Sequence, residues 1–144
     1  MTPCVVDASI AVKWYVPEDS ADRALSLLAR QEQGEISLHV PELFFAEVGN
    51  IVWKKQRTGQ LLRMQADLIV GSLLRMPYHV HSLPGLLPHA VTLACELDQT
   101  VCDAIYLSLA LSLRSQVVTA DSRFRNRLEA SQYRSCVRWV GDLS

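Results

Sequence analysis

The chain has 144 residues, of which 49% are hydrophobic and 20% charged, with a formal net charge of −1. This length and composition predict one globular domain over residues 1–144, burying roughly 70% of its unfolded surface, and exclude disordered and repeat architectures. The longest stretch without Asp, Glu, Lys or Arg, residues 76–95, contains prolines and histidines, so we expect no membrane helix. Because no basic segment precedes the first apolar run, we expect no secretory signal and a cytoplasmic location.

The four cysteines show no metal-binding or redox spacing. Cys4, Cys95, Cys102 and Cys136 lie in apolar surroundings without a Cys-x-x-Cys pair. This pattern predicts reduced thiols in the core and neither a disulfide framework nor a zinc site.

Short apolar runs alternate with longer segments of helical periodicity along the whole chain. In chain order they predict a strand at 3–6, a helix at 20–33, a strand at 37–40, helices at 41–58 and 60–76, a strand at 78–83, helices at 88–97 and 104–113, a strand at 116–120, a helix at 122–130 and a strand at 136–140. Pro41 is placed in the first turn of its helix, where proline is tolerated. The alternation predicts an α/β fold with a mostly parallel central sheet.

Two aspartates follow predicted strands directly. Asp7 comes just after the apolar run Val5-Val6, and Asp121 comes just after the run Val117-Val118-Thr119. Both are therefore expected at the carboxyl ends of parallel strands, where open α/β sheets bind ligands. The alternative for each is a helix N-cap, which is a frequent role of Asp between a strand and a helix.

Two further acids lie on predicted apolar helix faces. Glu47 falls within the apolar stripe of its helix, where a buried carboxylate needs a partner. A salt bridge to Lys54 or Lys55, one to two turns further on, is the alternative, and Asn50 shares the face of Glu47 and is placed to orient it. Asp103 begins the helix at 104–113, with an N-cap role as the alternative and Thr100 as a competing cap. Four unrelated structural roles for these acids would be a coincidence, so we infer that all four acids belong to one shared site.

Four blocks of the chain resemble a known family. They are VVDAS at 5–9, PELFFAEVGN at 41–50, CDAIYLSLA at 102–110 and VVTADSRF at 117–124. Their order and spacing are similar to those of the PIN domain family, in particular the VapC-type toxins of bacterial toxin–antitoxin pairs. The resemblance covers essentially the whole chain.

The resemblance implies a Rossmann-like α/β/α sandwich with an acidic pocket that binds Mg²⁺ or Mn²⁺ and cleaves RNA. By position, the family's acidic metal-binding quartet corresponds to Asp7, Glu47, Asp103 and Asp121, and its supporting polar residues correspond to Ser9, Asn50 and Thr119. The first three acids are expected to hold the metal, with Asp121 completing a second metal position or orienting water. The resemblance also implies a cognate antitoxin and a homodimer.

Electrostatics supports a cation independently of the resemblance. Two carboxylates about 4 Å apart repel by about 4 kcal/mol at an effective dielectric of 20, so a converging quartet must take up protons or a cation. Oxygen ligands favour Mg²⁺ or Mn²⁺ over Zn²⁺. His79 and His81 share a strand face, but without an evident third partner we set zinc aside.

The end of the chain is rich in arginine. Six arginines lie between residues 114 and 138, with only Asp121 and Glu129 as acids. Arg123 and Arg127, four residues apart beside Asp121, are expected to contact RNA phosphates, and an ordinary solvent-exposed face is the alternative for each.

Two other functions compete with a metal-dependent endoribonuclease toxin. A non-catalytic RNA-binding or scaffolding module would be favoured by a missing acid, and none is missing. An α/β phosphatase would carry an Asp-x-Asp pair after the first strand, whereas Asp7 is followed by Ala8 and Ser9.

Overall fold

The computed structural model describes residues 1–144 and contains five strands and seven α-helices. In chain order they are β1 (Thr2–Val6), α1 (Ala8–Lys13), α2 (Ala21–Glu32), β2 (Ile36–Pro41), α3 (Leu43–Arg57), α4 (Arg63–Leu74), β3 (His79–His81), α5 (Leu83–Leu97), α6 (Val101–Ser112), β4 (Val117–Thr119), α7 (Ser122–Glu129) and β5 (Val137–Trp139). Short 3₁₀ turns at Arg134–Cys136 and Val140–Asp142 flank β5. No helix is both long and apolar enough to cross a membrane.

The strands form one parallel sheet in the order β3-β2-β1-β4-β5. Helices α1–α4 lie in the connections from β1 to β2 and from β2 to β3. Helices α5–α7 lie in the connections from β3 to β4 and from β4 to β5. Because parallel crossovers are right-handed, these two groups cover opposite faces of the sheet. The predicted Rossmann-like α/β/α sandwich is confirmed. The strands that follow β1 are added first on one side of it and then, from β4, on the other side, and ligands bind at this switch point in such sheets.

A single cluster of buried apolar residues fills both sides of the sheet. Val5 and Val6 are fully buried, as expected for a central parallel strand. In α6, every residue from 104 to 110 is buried, which explains why this helix has no polar stripe. The rigid centre of the fold therefore lies directly beneath Asp7 and Asp103.

Several predicted element boundaries are wrong. Helix α1 was not predicted, because its six residues are too few to show a helical period. Pro41 ends β2 and does not begin a helix. Helix α5 begins at Leu83, since Pro84 fits its first turn, and β3 is correspondingly shorter than the predicted strand at 78–83. Helix α6 begins at Val101 with Thr100 as its N-cap.

The cysteines are free, as predicted, but they do not lie in the core. Cys95 and Cys102 are exposed, and Cys4 and Cys136 are only partly buried. Apolar neighbours in sequence misled the prediction, because Cys95 lies on the outer side of α5 and Cys102 in the exposed first turn of α6.

Candidate active site

Asp7 lies at the carboxyl end of β1 and is held by three hydrogen bonds. Its Oδ1 accepts from the Ser9 hydroxyl at 2.5 Å and from the Ile10 backbone N–H at 3.3 Å, and its Oδ2 accepts from the Thr119 hydroxyl. The Ile10 bond makes Asp7 the N-cap of α1. The cap and the site role are therefore compatible, since one carboxylate both starts the helix and faces the pocket.

Thr119 and Asp121 extend this network from β4. The Asp121 backbone N–H donates to the Thr119 hydroxyl at 3.0 Å, and the Ser9 hydroxyl accepts from the Ala120 N–H at 2.9 Å. The Asp121 side chain caps α7 by accepting from the Arg123 and Phe124 N–H groups at 2.9 and 3.3 Å. The ends of β1 and β4 are thus tied together around Asp7.

Glu47 and Asp103 approach the same place from α3 and α6. Both are partly buried, and the Asp103 N–H donates to the Thr100 hydroxyl at 3.2 Å. Tyr106, one turn after Asp103, is only 2% exposed, and its hydroxyl lies beside the Glu47 carboxylate, where it lowers the pKa of Glu47 against the larger raising effect of burial. We did not single out Tyr106 from the sequence, although its spacing of three from Asp103 places both on one helix face.

All four acids line one cavity of about 190 Å³. Its polar lining includes the four acids together with Ser9, Asn50 and Tyr106. Thr119 lies beneath the cavity and reaches it through Asp7. The structure therefore brings together the seven residues singled out as an acidic quartet and its polar support.

The acids of the cavity form no ion pair. The five salt bridges of the chain all use other carboxylates. Burial raises the pKa of Asp7 to about 6, against the lowering effect of its hydrogen bonds. Burial also raises the pKa of Glu47 and of Asp103, and the charge of Asp121 adds to both shifts. The site therefore holds negative charge that nothing in the chain neutralises directly.

The donor set of the cavity suits a hard divalent cation. It offers carboxylate and hydroxyl oxygens and no imidazole or thiol, the ligand chemistry of Mg²⁺ and Mn²⁺. As the side chains stand, no three His, Cys, Asp or Glu residues are close enough to hold a metal ion together. Binding one cation through three of these acids therefore requires side-chain movement.

A second cavity, of about 380 Å³, adjoins the first and shares Asp103 and Asp121 with it. Arg123 and Arg127, the two residues predicted to contact RNA phosphates, both line it. Arg127 also donates to the Asp98 carbonyl oxygen at the end of α5. Arg127 therefore has a structural contact that Arg123 lacks.

His79 and His81 do have a third imidazole beside them. His39 on β2 stacks on His79 with ring centroids 4.5 Å apart, and its Nδ1 lies 2.9 Å from Nε2 of His81. The parallel register pairs His39 with His79 and so supplies a third imidazole that was not evident from the sequence. His79 stacks on His39, and His81 lies within hydrogen-bond distance of it.

Comparison with known proteins agrees with this fold. The model of the PIN domain family matches residues 4–127, and the chain belongs to that family. It is 31% identical over 128 residues to ribonuclease VapC3 of Pyrobaculum aerophilum, an alignment that covers 88% of this chain and 95% of the relative.

Two solved structures show the same fold. PAE2754 from Pyrobaculum aerophilum has a TM-score of 0.70 and 24% identity, with 97% of this chain and 85% of that chain covered. VapBC2 from Rickettsia felis, bound to a DNA fragment from its promoter, has a TM-score of 0.67 and 15% identity, with 96% and 98% covered.

Proposed function

We propose that this protein is a Mg²⁺- or Mn²⁺-dependent endoribonuclease that hydrolyses RNA phosphodiester bonds. The observation that carries the proposal is the cavity lined by four carboxylates without an ion pair, at the carboxyl ends of β1 and β4. The 31% identity to a ribonuclease supports RNA as the substrate. The full acidic quartet favours an enzyme over a non-catalytic binding module.

Asp7, Glu47 and Asp103 are the residues that would hold the cation, with Asp121 as a further ligand or as the group that orients water. When bound, the cation supplies positive charge against the scissile phosphate and lowers the pKa of the attacking water. Ser9 and Thr119 hold the Asp7 carboxylate in place, since both hydroxyls donate to it. Asn50 has no cap or core role and is available to orient Glu47 or the substrate.

The raised pKa values have a direct chemical meaning in this proposal. Carboxyls with raised pKa values keep their protons more readily in the absence of a cation, so binding of a cation releases protons. Neutralisation by a cation then allows Asp7, Glu47 and Asp103 to ionise together in a partly buried site. The same charge lets a phosphate approach a pocket that would otherwise repel it.

The test is cleavage of labelled RNA by the purified protein with Mg²⁺, with Mn²⁺ and with EDTA. Glu47→Gln keeps the shape of the side chain and removes its charge, so cleavage should be lost. Glu42→Gln is the matched control, because Glu42 is exposed immediately before the same helix. RNA cleavage that persists in EDTA, or that survives Glu47→Gln in a folded protein, would overturn the proposal.

We also propose a cognate antitoxin as a partner, with homodimerisation as the family resemblance implies. The Rickettsia felis neighbour was solved as VapBC2 and thus supports a complex of this kind. Large apolar side chains on and beside α3 and α4 are exposed, including Trp53, Met64 and Leu68, and offer a surface for such a partner. An antitoxin Arg or Lys entering the acidic cavity would compete with the cation by charge.

Expression in cells tests the partner separately from the nuclease. Induction of this gene alone should arrest growth, and co-expression of the adjacent small gene should restore it. Glu47→Gln should remove the arrest while the partner is still recovered by pull-down. Harmless expression of an active nuclease with no tight partner would contradict the toxin assignment and leave the nuclease assignment intact.

A further inference from the structure

A cluster of two lysines and one glutamate lies next to the acidic cavity. The Glu18 carboxylate bridges Lys13 Nζ at 3.3 Å and Lys55 Nζ at 3.0 Å, joining the segment after α1 to α3. The lysine side chains are only 11% and 16% exposed. Burial alone would raise the pKa of Glu18, but Lys55 and then Lys13 outweigh it and hold that pKa below its usual range.

The cluster keeps one uncompensated positive charge. Two ammonium groups face a single carboxylate, and holding half-desolvated cations without an anion is costly. Lys13 also donates to the Asp19 carbonyl oxygen at 2.7 Å, and Lys55 to Gln60 Oε1 at 3.3 Å. Each ammonium has three N–H donors, so each retains one after these contacts.

The spare donors border open space. Lys13, Glu18 and Lys55 line a cavity of about 220 Å³. Ser9 and Ile51 line both this cavity and the acidic one, so the two cavities adjoin each other. The arginine cavity adjoins the acidic one at a different wall, through Asp103 and Asp121. Cationic cavities therefore border the acidic cavity on two separate sides.

From this arrangement we infer that Lys13 and Lys55 form a phosphate-binding subsite for RNA, on the side of the scissile phosphate away from Arg123. This inference rests on the proposed ribonuclease function. A bound strand would place one backbone phosphate against Lys13 and Lys55, the scissile phosphate in the acidic cavity and a further phosphate near Arg123. The single phosphate charge matches the single uncompensated charge of the lysine cluster.

The experiment is fluorescence anisotropy of a short labelled single-stranded RNA in EDTA, over a series of KCl concentrations, so that binding is read without cleavage. Lys55→Gln should weaken binding several-fold and reduce the slope of log K against log salt by about 0.7, the value for one lost phosphate contact on a single strand. Lys54→Gln is the matched control, since it removes the same charge from an exposed neighbour on the same helix. It should change neither quantity.

Glu18→Gln separates a binding role from a merely structural one. Removing the carboxylate leaves both lysines without their internal counter-charge, so a phosphate subsite should bind RNA more tightly and with a steeper salt slope. A structural clamp predicts a lower melting temperature and no gain in affinity. Equal binding by Lys55→Gln and Lys54→Gln, or weaker binding by Glu18→Gln, would overturn the subsite.

The two proposals fail in distinguishable ways. If the wild type cleaves RNA with Mg²⁺ but Lys55→Gln binds like Lys54→Gln, only the subsite is wrong. If the wild type binds RNA with the predicted variant effects but cleaves nothing with any metal, the ribonuclease is wrong and an RNA-binding surface remains.

Discussion

Two polar clusters lie on the same parallel sheet and differ in what they leave unsatisfied. At the ends of β1 and β4, four acids surround a cavity without an ion pair. On β2 and β3, His39 stacks on His79 and lies within hydrogen-bond distance of His81 and of Ser37 Oγ. No histidine lines the acidic cavity or the two cavities that adjoin it.

The difference shows that grouped polar residues do not by themselves make a site. Burial lowers the pKa of His39 to about 4 and also lowers the pKa of His81, so these two imidazoles are neutral near pH 7 and hydrogen-bond to each other without a ligand. The carboxylates repel one another and are open to solvent, so a cation or protons must compensate them. Charge that is not neutralised and lies beside accessible space is therefore a stronger indication of a functional site than the grouping of polar residues alone.

The largest expected difference is in catalysis. Asp7→Asn should lower RNA cleavage by about 100-fold or more, because loss of even an indirect metal-site partner costs about 10- to 100-fold. His39→Gln should leave cleavage within about twofold, since the loss of neutral hydrogen bonds to Ser37 and His81 affects stability and not the acidic site. Cleavage rates in Mg²⁺, with circular dichroism to confirm folding, provide the measurement. A folded Asp7→Asn protein with the wild-type rate would remove Asp7 from the site.

A smaller effect is expected for the arginines beside the acidic cavity. Arg123→Gln should reduce the salt slope of RNA binding by about 0.7 without changing the melting temperature. Arg127→Gln should reduce both the salt slope and the melting temperature, because Arg127 also donates to the Asp98 carbonyl oxygen at the end of α5. Anisotropy and thermal melts measure the two effects. An unchanged slope for Arg123→Gln would return that residue to the solvent-exposed surface.

The smallest expected effect concerns pH and has opposite signs in the two clusters. Burial raises the pKa of Asp7 from 3.8 to about 6. Protonation of Asp7 therefore stabilises the folded state, and this contribution is fully present below pH 3.8 and is lost as the pH rises through 6. Burial, and then the charges of His79 and His81, lower the pKa of His39 from 6.5 to about 4. Neutral His39 therefore stabilises the folded state, and this contribution is fully present above pH 6.5 and is lost as the pH falls through 4.

Melting temperatures of the metal-free protein between pH 4 and pH 7 therefore separate the clusters. Relative to wild type, Asp7→Asn should lose more stability on acidification, and His39→Gln should lose less. Parallel curves for the two variants would show that the clusters do not differ in the way described.

The sequence predicted the fold well because strand and helix periods alternate so regularly. It located Asp7 and Asp121 because each comes just after a strand, and the apolar run of a strand can be recognised from the local sequence. Their alternative roles as N-caps are also real, and the sequence alone did not show that a cap can face a pocket.

Other features depend on contacts between distant segments and leave no local pattern. Helix α1 is too short to show periodicity, and His39 meets His79 only through strand register. Glu18 and Lys55 are joined across the gap between α1 and α3, which no spacing rule indicates. The exposed position of Cys95 likewise depends on which side of α5 packs against α6.

Calorimetric titration of Mn²⁺ into the metal-free protein tests the central claim, that four carboxyls form one cation site, most directly. The wild type should bind saturably near pH 6 and release protons, seen as heats that differ between buffers of different ionisation enthalpy, because Asp7 is partly protonated there. Amide replacement of Asp7, Glu47 or Asp103 should weaken binding by about 10-fold or more. Asp67→Asn, which removes an exposed acid on α4, should leave it unchanged. Absence of binding, or equal binding by the Asp7, Glu47 and Asp67 variants, would contradict the account.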